Sequence, residues 1–263
     1  MATIAEVTAY LEQIAPLSLQ ESYDNAGLIT GQPDWVVAGV LTSLDCTEAV
    51  VDEAVTRGCN LIVAHHPIVF QGLRRLTGAT YVERTIIKAI KANVAIYAIH
   101  TNLDNVRFSG VNERIAQQLG LMNLRLLAPK NAEGSVGSGI LGELPLPQLE
   151  VDFLRHLRQQ MLTPVVRHTA LRGRMVERVA LCGGAGGFLL AAARAADADV
   201  LVTADFKYHE FFDAEGQLVI CDIGHYESEQ FTTQLLAELL IKKYSTFAVL
   251  CTELNTNPVR YSF

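Results

Sequence analysis

Two histidines follow an apolar segment at the point where the chain turns. His65 and His66 come directly after Leu61–Ala64 and directly before Pro67. Because proline has no amide donor and keeps the preceding residue extended, we expect both imidazoles at the carboxyl end of a strand, where ligands of open α/β sheets bind. Since neighbouring side chains of an extended segment point to opposite sides, the pair favours two different metal ions over one chelated ion. The alternative is a structural pair that binds loop carbonyls.

Two later segments repeat this combination of an apolar stretch and polar side chains that bind metals. His100 follows the apolar residues 94–99, and Asp104 lies four positions further on. His225 and Glu229 come after a second apolar stretch and are also four positions apart. On a helix they share one face, so together they can bind one ion. The recurrence favours a metal site over histidines that serve only structure.

The candidate ligands include histidine and carboxylate but no cysteine. This set suits a divalent ion such as Zn, Mn, Fe, Co or Mg. The number of candidate side chains is larger than an open tetrahedral site needs. It fits two ions that share one bridging carboxylate, for which Asp104 is the candidate. Two ions about 3.5–4 Å apart activate water and stabilise an anionic transition state. The predicted metal ligands are His65, His66, Asp104, His225 and Glu229.

Strand-like and helix-like segments alternate along most of the chain, and they must position these residues. Predicted strands cover residues 36–44, 61–64, 94–99, 140–144, 176–181, 200–203, 218–221 and 247–251. Predicted helices cover residues 3–14, 47–57, 81–92, 110–119, 148–161, 188–196 and 227–244. The alternation indicates an α/β protein with mixed, largely parallel sheets that helices cover on both sides.

The composition of the chain changes near its middle. Residues 128–139 are rich in glycine and serine, which is typical of a long loop or a domain boundary. We therefore predict two α/β lobes, residues 1–128 and 176–263, that form one domain. Residues 129–175 are predicted to be a central connecting region. A cleft between the two lobes would hold the metal site.

Composition excludes several classes of protein. The chain has 263 residues, of which 50% are hydrophobic, so disorder is not expected. No apolar run reaches the roughly 20 residues that span a bilayer, and the N-terminus lacks a signal-peptide pattern. The five cysteines form no C-x-x-C pair and are predicted to be buried free thiols in a cytoplasmic protein. With a net charge of −7 and no basic run, we expect neither nucleic acid nor a membrane as a partner.

Five segments together resemble one family. The chain is similar over nearly its whole length to the Nif-three-like family, whose bacterial members are commonly named homologues of a type 2 GTP cyclohydrolase 1. Each segment is a modest signal, but all of them in this order are specific. They are residues 22–28 (SYDNAGL), 64–68 (AHHPI), 100–104 (HTNLD), 203–209 (TADFKYH) and 224–229 (GHYESE).

The resemblance implies a toroidal homohexamer with two α/β lobes per chain and a dinuclear metal site in the cleft. It places the family's metal ligands on the same five residues named above. Some longer members insert an extra domain in mid-chain, and this chain leaves no room for one. The biochemical role of the family is poorly settled, since some members are described through protein partners.

Further residues have possible roles beside the metals. The family pattern places His100 near the ions, where we predict a role in proton transfer or in orienting a ligand, and His209 is a second candidate for that role. The alternative for His100 is a buried structural histidine. Asp45, Asp205 and Asp222 each end a predicted strand and can orient a metal-bound imidazole.

A glycine-rich run covers residues 182–187 (CGGAGG) between a predicted strand and a predicted helix. Amides at a helix N-terminus can hold a phosphate. The run does not match G-x-G-x-x-G, because Leu189 stands where the third glycine should be. A tight structural turn is therefore favoured over a nucleotide cradle, and no cofactor other than two divalent ions is predicted.

Two functions are consistent with these residues. The first is a metal-dependent hydrolase that acts on a nucleotide, a phosphoester or a cyclic amide, with His100 or His209 moving protons. Ring opening of GTP is one specific version. The second is a non-enzymatic, metal-stabilised oligomeric adaptor or metal-handling protein that binds a protein partner. We favour the hydrolase, because a dinuclear site of histidine and carboxylate is more than folding needs.

Overall fold

The computed structural model describes residues 1–262, and its helices and strands follow the predicted alternation. The helices are α1 (Ile4–Ile14), α2 (Glu48–Thr56), α3 (Tyr81–Ala92), α4 (Thr101–Asp104), α5 (Val111–Gln118), α6 (Glu150–Gln160), α7 (Leu190–Ala195), α8 (His225–Glu229) and α9 (Thr232–Lys243). The strands are β1 (Gly27–Thr30), β2 (Gly39–Ser43), β3 (Leu61–Ala64), β4 (Ala95–Ala98), β5 (Met122–Pro129), β6 (Gly137–Leu149), β7 (Arg167–His168), β8 (Met175–Ala185), β9 (Val200–Ala204), β10 (Val219–Asp222) and β11 (Ala248–Cys251).

The chain forms two compact units. The first contains residues 1–103 and 232–260, and the second contains residues 104–231 and the C-terminal residues from 261. This division differs from the predicted lobes at 1–128 and 176–263. Residues 129–175 do not form a separate connection, because β6 pairs with β5 on one side and with β8 on the other. The predicted connecting region thus belongs to the sheet of the second unit.

The first unit has a five-stranded sheet in the order β1-β4-β3-β2-β11. Only β1 runs antiparallel to its neighbour, and the other pairs are parallel. Every residue of β2, β3 and β4 is buried, as expected for a parallel sheet covered on both faces. Helices α2 and α3 cover one face with Val50, Val51 and Ile86, which pack with residues of these strands in one core cluster.

Threonine caps begin the helices of this unit. The Thr3 side chain accepts a hydrogen bond from the Glu6 amide, and the Glu6 carboxylate accepts one from the Thr3 amide, which is the predicted capping box. Thr47 caps α2 by accepting from the Val50 amide, also as expected. Such caps fix where each helix starts, and therefore where the loop before it ends.

The second unit has a six-stranded mixed sheet in the order β5-β6-β8-β9-β10-β7. Strands β8, β9 and β10 are parallel neighbours, and the remaining pairs are antiparallel. Because β8, β9 and β10 point the same way, the loops that follow them emerge at one edge of the sheet. The glycine-rich run covers the end of β8, Asp205 follows β9 directly, and the loop after β10 leads to His225 at the start of α8.

The cysteines are free thiols, as predicted, and four of them are buried. Burial raises the pKa of the Cys46 thiol to about 12, and the neighbouring Asp45 charge raises it further. These thiols are therefore protonated at neutral pH and act as small apolar side chains. Among residues 1–262, no helix has the length and hydropathy that a bilayer crossing requires.

Candidate metal centre

Three histidines of the first unit lie together just beyond two neighbouring parallel strands. His65 and His66 follow β3, and His100 follows β4. One ring nitrogen from each lies within 4.8 Å of the other two, so the three imidazoles can bind metal together. The rings of His65 and His66 are 4.9 Å apart and do not diverge as strict strand alternation predicts. The reason is that both residues lie in a bend after β3.

The hydrogen bonds of the first two histidines fix their tautomers. His65 Nδ1 is 2.8 Å from the Ile99 carbonyl oxygen, and His66 Nδ1 is 2.8 Å from Asp45 Oδ1. Since a carbonyl and a carboxylate oxygen can only accept, each ring donates from Nδ1, and in the neutral ring the lone pair is then on Nε2. Metal-binding histidines usually have this arrangement. Asp45 thus orients His66, in agreement with the sequence prediction.

The ring of the third histidine, His100, also donates from Nδ1 to a carboxylate. That carboxylate belongs to Asp24, which sequence analysis did not predict to orient a histidine. His100 Nδ1 donates to Asp24 Oδ1 at 2.8 Å. Burial by itself raises the pKa of the Asp24 carboxyl, but hydrogen bonds from His100 and Thr101 outweigh it and lower the pKa to about 2. Asp24 lies in a polar loop, and the only sequence signal for it was its place in the 22–28 segment.

In the second unit, His225 and Glu229 occupy the first and last positions of α8. His225 Nε2 and Glu229 Oε2 are 3.1 Å apart. Two atoms that each lie ~2.1 Å from one ion, at an angle of ~90–110°, are separated by ~3.0–3.4 Å. The pair therefore has the spacing of two ligands of one ion, as its i,i+4 relation predicts.

Asp205 orients the His225 ring from the end of β9. Its Oδ2 accepts from His225 Nδ1 at 2.6 Å, and its backbone has a left-handed φ of +58°. Burial lowers the pKa of His225, but hydrogen bonds to Asp205 and Glu229 outweigh it and raise the pKa to about 11. The predicted orienting role fits Asp205 and does not fit Asp222, whose carboxylate accepts from Arg167 and two backbone amides instead.

Asp104 and Glu229 both lie near the start of the glycine-rich run. The Asp104 carbonyl accepts from Asn112 Nδ2 at 3.0 Å, and Asn112 Oδ1 accepts from the Gly183 amide at 2.9 Å. Burial raises the pKa of Cys182, and the negative charges of Asp104 and Glu229 raise it further. Asn112 thus fixes the Asp104 backbone against the run.

The glycine-rich run has a structural role, as favoured, but it is not a separate turn: residues 182–185 end β8 with a shifted register against β9, and a 3-10 helix begins at Gly187. The amides of Gly184 and Gly186 donate at 2.9 Å to the hydroxyls of Ser228 and Thr203, so they do not point at a phosphate. Gly184 has a φ of +59°, and a Cβ there would lie 2.6 Å from Glu229 Oε1 and 3.1 Å from His225 Cε1. Sequence analysis missed this role, in which the absent side chain makes room for two ligand side chains.

His209 lies apart from these groups. It is exposed on the 3-10 helix Tyr208–Ala214, where its ring contacts Tyr208. Within residues 1–262, no cluster of possible metal ligands includes it. His100, in contrast, lies beside His65 and His66.

The donor atoms in each unit are of the kinds that bind divalent ions. The first unit supplies three imidazoles, and His225 and Glu229 of the second supply one imidazole and one carboxylate. Each of these four imidazoles is hydrogen-bonded at Nδ1 to a carbonyl or carboxylate oxygen. This chemistry matches that of Zn, Mn, Fe and Co sites.

Comparison with known proteins gives the family. The sequence profile of Duf34/NIF3 (NGG1p interacting factor 3) matches residues 2–258. The chain belongs to this family. A relative from Clostridium acetobutylicum, named "GTP cyclohydrolase 1 type 2 homolog", is 32% identical over 228 residues, covering 86% of this chain and 85% of the relative. A Campylobacter jejuni relative of the same name is 29% identical over 263 residues, covering 98% of this chain and 99% of the relative.

Solved structures agree with the family assignment. A hypothetical protein of Staphylococcus aureus superposes with a TM-score of 0.91 at 30% identity and 99% coverage of both chains. A Bacillus cereus protein related to NIF3 has the same TM-score and coverage at 25% identity. The sequence resemblance and the fold class, a mixed α/β protein with two sheets, are thereby confirmed.

Proposed function

We propose that this protein is a metal-dependent hydrolase with a dinuclear site. The observation that carries the proposal is the common hydrogen bonding of the ligand histidines, each of which donates from Nδ1 to a carbonyl or carboxylate oxygen and so leaves Nε2 as the nitrogen for an ion. Folding alone does not require this hydrogen bonding at three ligand histidines and also at His100. The proposed ligands are His65, His66, Asp104, His225 and Glu229, with Asp104 as the bridge.

The proposal requires that ligands from the two units serve the same pair of ions. The chain supports this, because His100 of the first unit and Asp104 of the second are only four residues apart along one segment. The ions are therefore proposed to lie beside this segment. Bound there, two divalent ions would supply Lewis acidity and an activated water.

The protein's own residues have separate tasks in this proposal. Asp45 and Asp205 orient His66 and His225 through Nδ1. His100, held by Asp24, carries a proton on Nδ1 and can accept or return another at Nε2 during the reaction. His209 remains a predicted proton carrier that would have to act from an exposed position.

The proposed substrate is a nucleotide, a phosphoester or a cyclic amide. The names of the curated relatives refer to a GTP cyclohydrolase, which favours a purine nucleotide as the first substrate to assay. Ring opening of GTP fits the residues, since hydrolysis at the purine would need an activated water and a histidine to protonate the leaving nitrogen.

Metal content measured by elemental analysis tests the first part of this proposal. Wild-type protein purified without chelator is expected to contain about two divalent ions per chain. A His65→Ala variant should contain fewer, while His168→Ala, which removes an exposed histidine outside the site, should match the wild type. Equal metal content in all three proteins would contradict the ligand assignment.

Turnover measurements test the second part. Wild-type protein loaded with Mn, Zn or Fe is assayed on GTP, on phosphoesters and on cyclic amides, beside Asp104→Asn. The hydrolase proposal expects turnover that the variant loses by at least tenfold. The same low turnover in both proteins would refute enzymatic activity.

An adaptor function is the second candidate, and two observations favour it. The family description refers to an interaction with another protein. Large aromatic side chains of the second unit are also exposed: Phe188 by 70%, Tyr208 by 74% and Phe212 by 67%. Exposed apolar patches mark interaction surfaces. In this proposal the protein is a homohexameric ring that metal stabilises. Removal of metal should then reduce the particle size measured by light scattering or weaken the binding of a protein partner. If the metal-free protein keeps both its size and its partners, the adaptor proposal is refuted.

A further inference from the structure

A threonine near the C-terminus completes the hydrogen bonding of one ligand histidine. Thr256 lies beyond β11, and its hydroxyl donates to Asp45 Oδ2 at 2.6 Å. The other oxygen of the same carboxylate, Oδ1, accepts from His66 Nδ1 at 2.8 Å. Asp45 is therefore held at both oxygens, and one of its two partners is 211 residues away along the chain.

The same arrangement occurs a second time in this unit. Asp24 accepts from His100 Nδ1 at Oδ1, and its Oδ2 accepts from the Thr101 hydroxyl at 2.5 Å. Two histidines of one cluster are thus each oriented by a carboxylate, and each carboxylate is fixed by a threonine hydroxyl. The repetition indicates that the hydroxyl has a task at the site beyond the folding of one loop.

The physical effect of the hydroxyl is to restrict the carboxylate. A carboxylate bound at one oxygen can rotate about its Cβ–Cγ bond, whereas a donor at the second oxygen fixes that rotation. An oriented Asp45 carboxylate keeps the His66 proton on Nδ1 and leaves Nε2 for the ion.

We propose that Thr256 is a positioning residue of the metal site and acts on His66 through Asp45. This inference rests on the proposed function, because it takes His66 to be a ligand. Loss of a residue that orients a metal ligand costs about 10–100-fold in metal affinity. Thr256 is one hydrogen bond further from the ion than Asp45, so we expect Thr256→Val to lower the metal affinity by about 3–10-fold.

Three substitutions test the proposal through the Zn²⁺ dissociation constant, measured by competition with a chromophoric chelator. Thr256→Val removes the hydroxyl at constant shape and should weaken binding by the stated factor, while Thr256→Ser keeps the hydroxyl and should bind like the wild type. Thr252→Val is the matched control, since the Thr252 hydroxyl belongs to the same C-terminal segment but donates to Glu53. It should leave the dissociation constant within about twofold of the wild type, because Glu53 orients no ligand in this proposal.

A double-mutant cycle distinguishes an effect of Thr256 on Asp45 from a general destabilisation of the fold. If Thr256 acts through Asp45, then Thr256→Val should cause no further loss of affinity in an Asp45→Asn background. Nitrogen-15 NMR of the metal-free protein adds a readout that needs no ion, since Thr256→Val should lower the fraction of His66 protonated at Nδ1.

The outcomes distinguish this inference from the function on which it rests. Unchanged affinity and tautomer in Thr256→Val would overturn the inference, even if the wild type binds two ions. Equal losses in Thr256→Val and Thr252→Val would also overturn it, because the effect would then be structural. Failure of the wild type to bind any divalent ion would overturn the proposed function, and the NMR comparison would still decide whether Thr256 controls His66.

Discussion

Gly184→Ala should damage the metal site through one added methyl group. Gly184 is buried, has a φ of +59°, and a Cβ there would lie 2.6 Å from Glu229 Oε1. Carbon and oxygen atoms normally stay ~3.3 Å or more apart, so the Glu229 oxygen would have to move by ~0.7 Å. Functional groups must be held within ~0.5 Å of their working geometry. The substitution should therefore misplace one ligand without removing it.

The expected loss of metal affinity is about 10–100-fold, or about 1.4–2.7 kcal/mol. The left-handed backbone adds a separate cost of about 1–2 kcal/mol to folding, because any residue with a Cβ is strained there. Gly216→Ala isolates that second cost. Gly216 has a φ of +66°, lies exposed, and would place its Cβ in open space.

The assay compares both variants with the wild type by chelator competition and by calorimetric melting. Both should lose similar thermal stability in the metal-free form, but only Gly184→Ala should lose metal affinity. If the two variants bind metal equally well, the close approach of Gly184 to Glu229 does not matter and the reasoning is refuted. If both lose affinity equally, backbone strain rather than the added methyl is responsible.

Three further predictions concern charge. The Asp24 pKa is lowered from 3.8 to about 2, so the ionised carboxylate stabilises the fold above pH ~4. This contribution, about 2 kcal/mol, is lost as the pH falls towards 2. In denaturant titrations, the free energy of unfolding of Asp24→Asn should therefore decline less than that of the wild type over this pH range. The pKa of His225 is raised to about 11, so at pH 7 an ion that binds Nε2 must displace a proton. Calorimetric titration with metal, in buffers of different ionisation enthalpy, should detect about one proton released per chain. Release of no proton would contradict the assignment of His225 as a ligand. Buried Glu150 accepts hydrogen bonds from Arg172 and from the Gly173 amide. Glu150→Ala should therefore lower the free energy of unfolding, measured in denaturant, by about 3 kcal/mol. A loss below about 1 kcal/mol would show that Arg172 finds other partners.

The fold class and most elements were predictable because their signals are local. The alternation of apolar and amphipathic segments predicted the strands and helices, and Thr3 and Thr47 cap the helices as expected. Ligand-type residues at strand ends were also recognisable, since parallel strands bring their carboxyl ends to one edge. The i,i+4 pair of His225 and Glu229 follows from helix geometry alone.

The residues that orient and accommodate the ligands were decided by tertiary structure. Asp24 and His100 are 76 positions apart, and Asp45 and Thr256 are 211 apart, so no spacing rule connects them. Residues 140–144 were recognisable as a strand, but the pairing of β6 with β5 and β8, which makes it part of the second sheet, depends on partners that its own sequence does not specify.

The role of Gly184 shows the physical reason for this division. From the sequence, a glycine run predicts a tight turn, whereas Gly184 has its left-handed φ near the end of β8, where the register with β9 shifts. Only the folded chain brings Glu229 and His225 against this position, where the absence of a side chain becomes a property of the site. Local propensities therefore determined which residues bear the chemistry, and long-range packing determined which residues hold them in place.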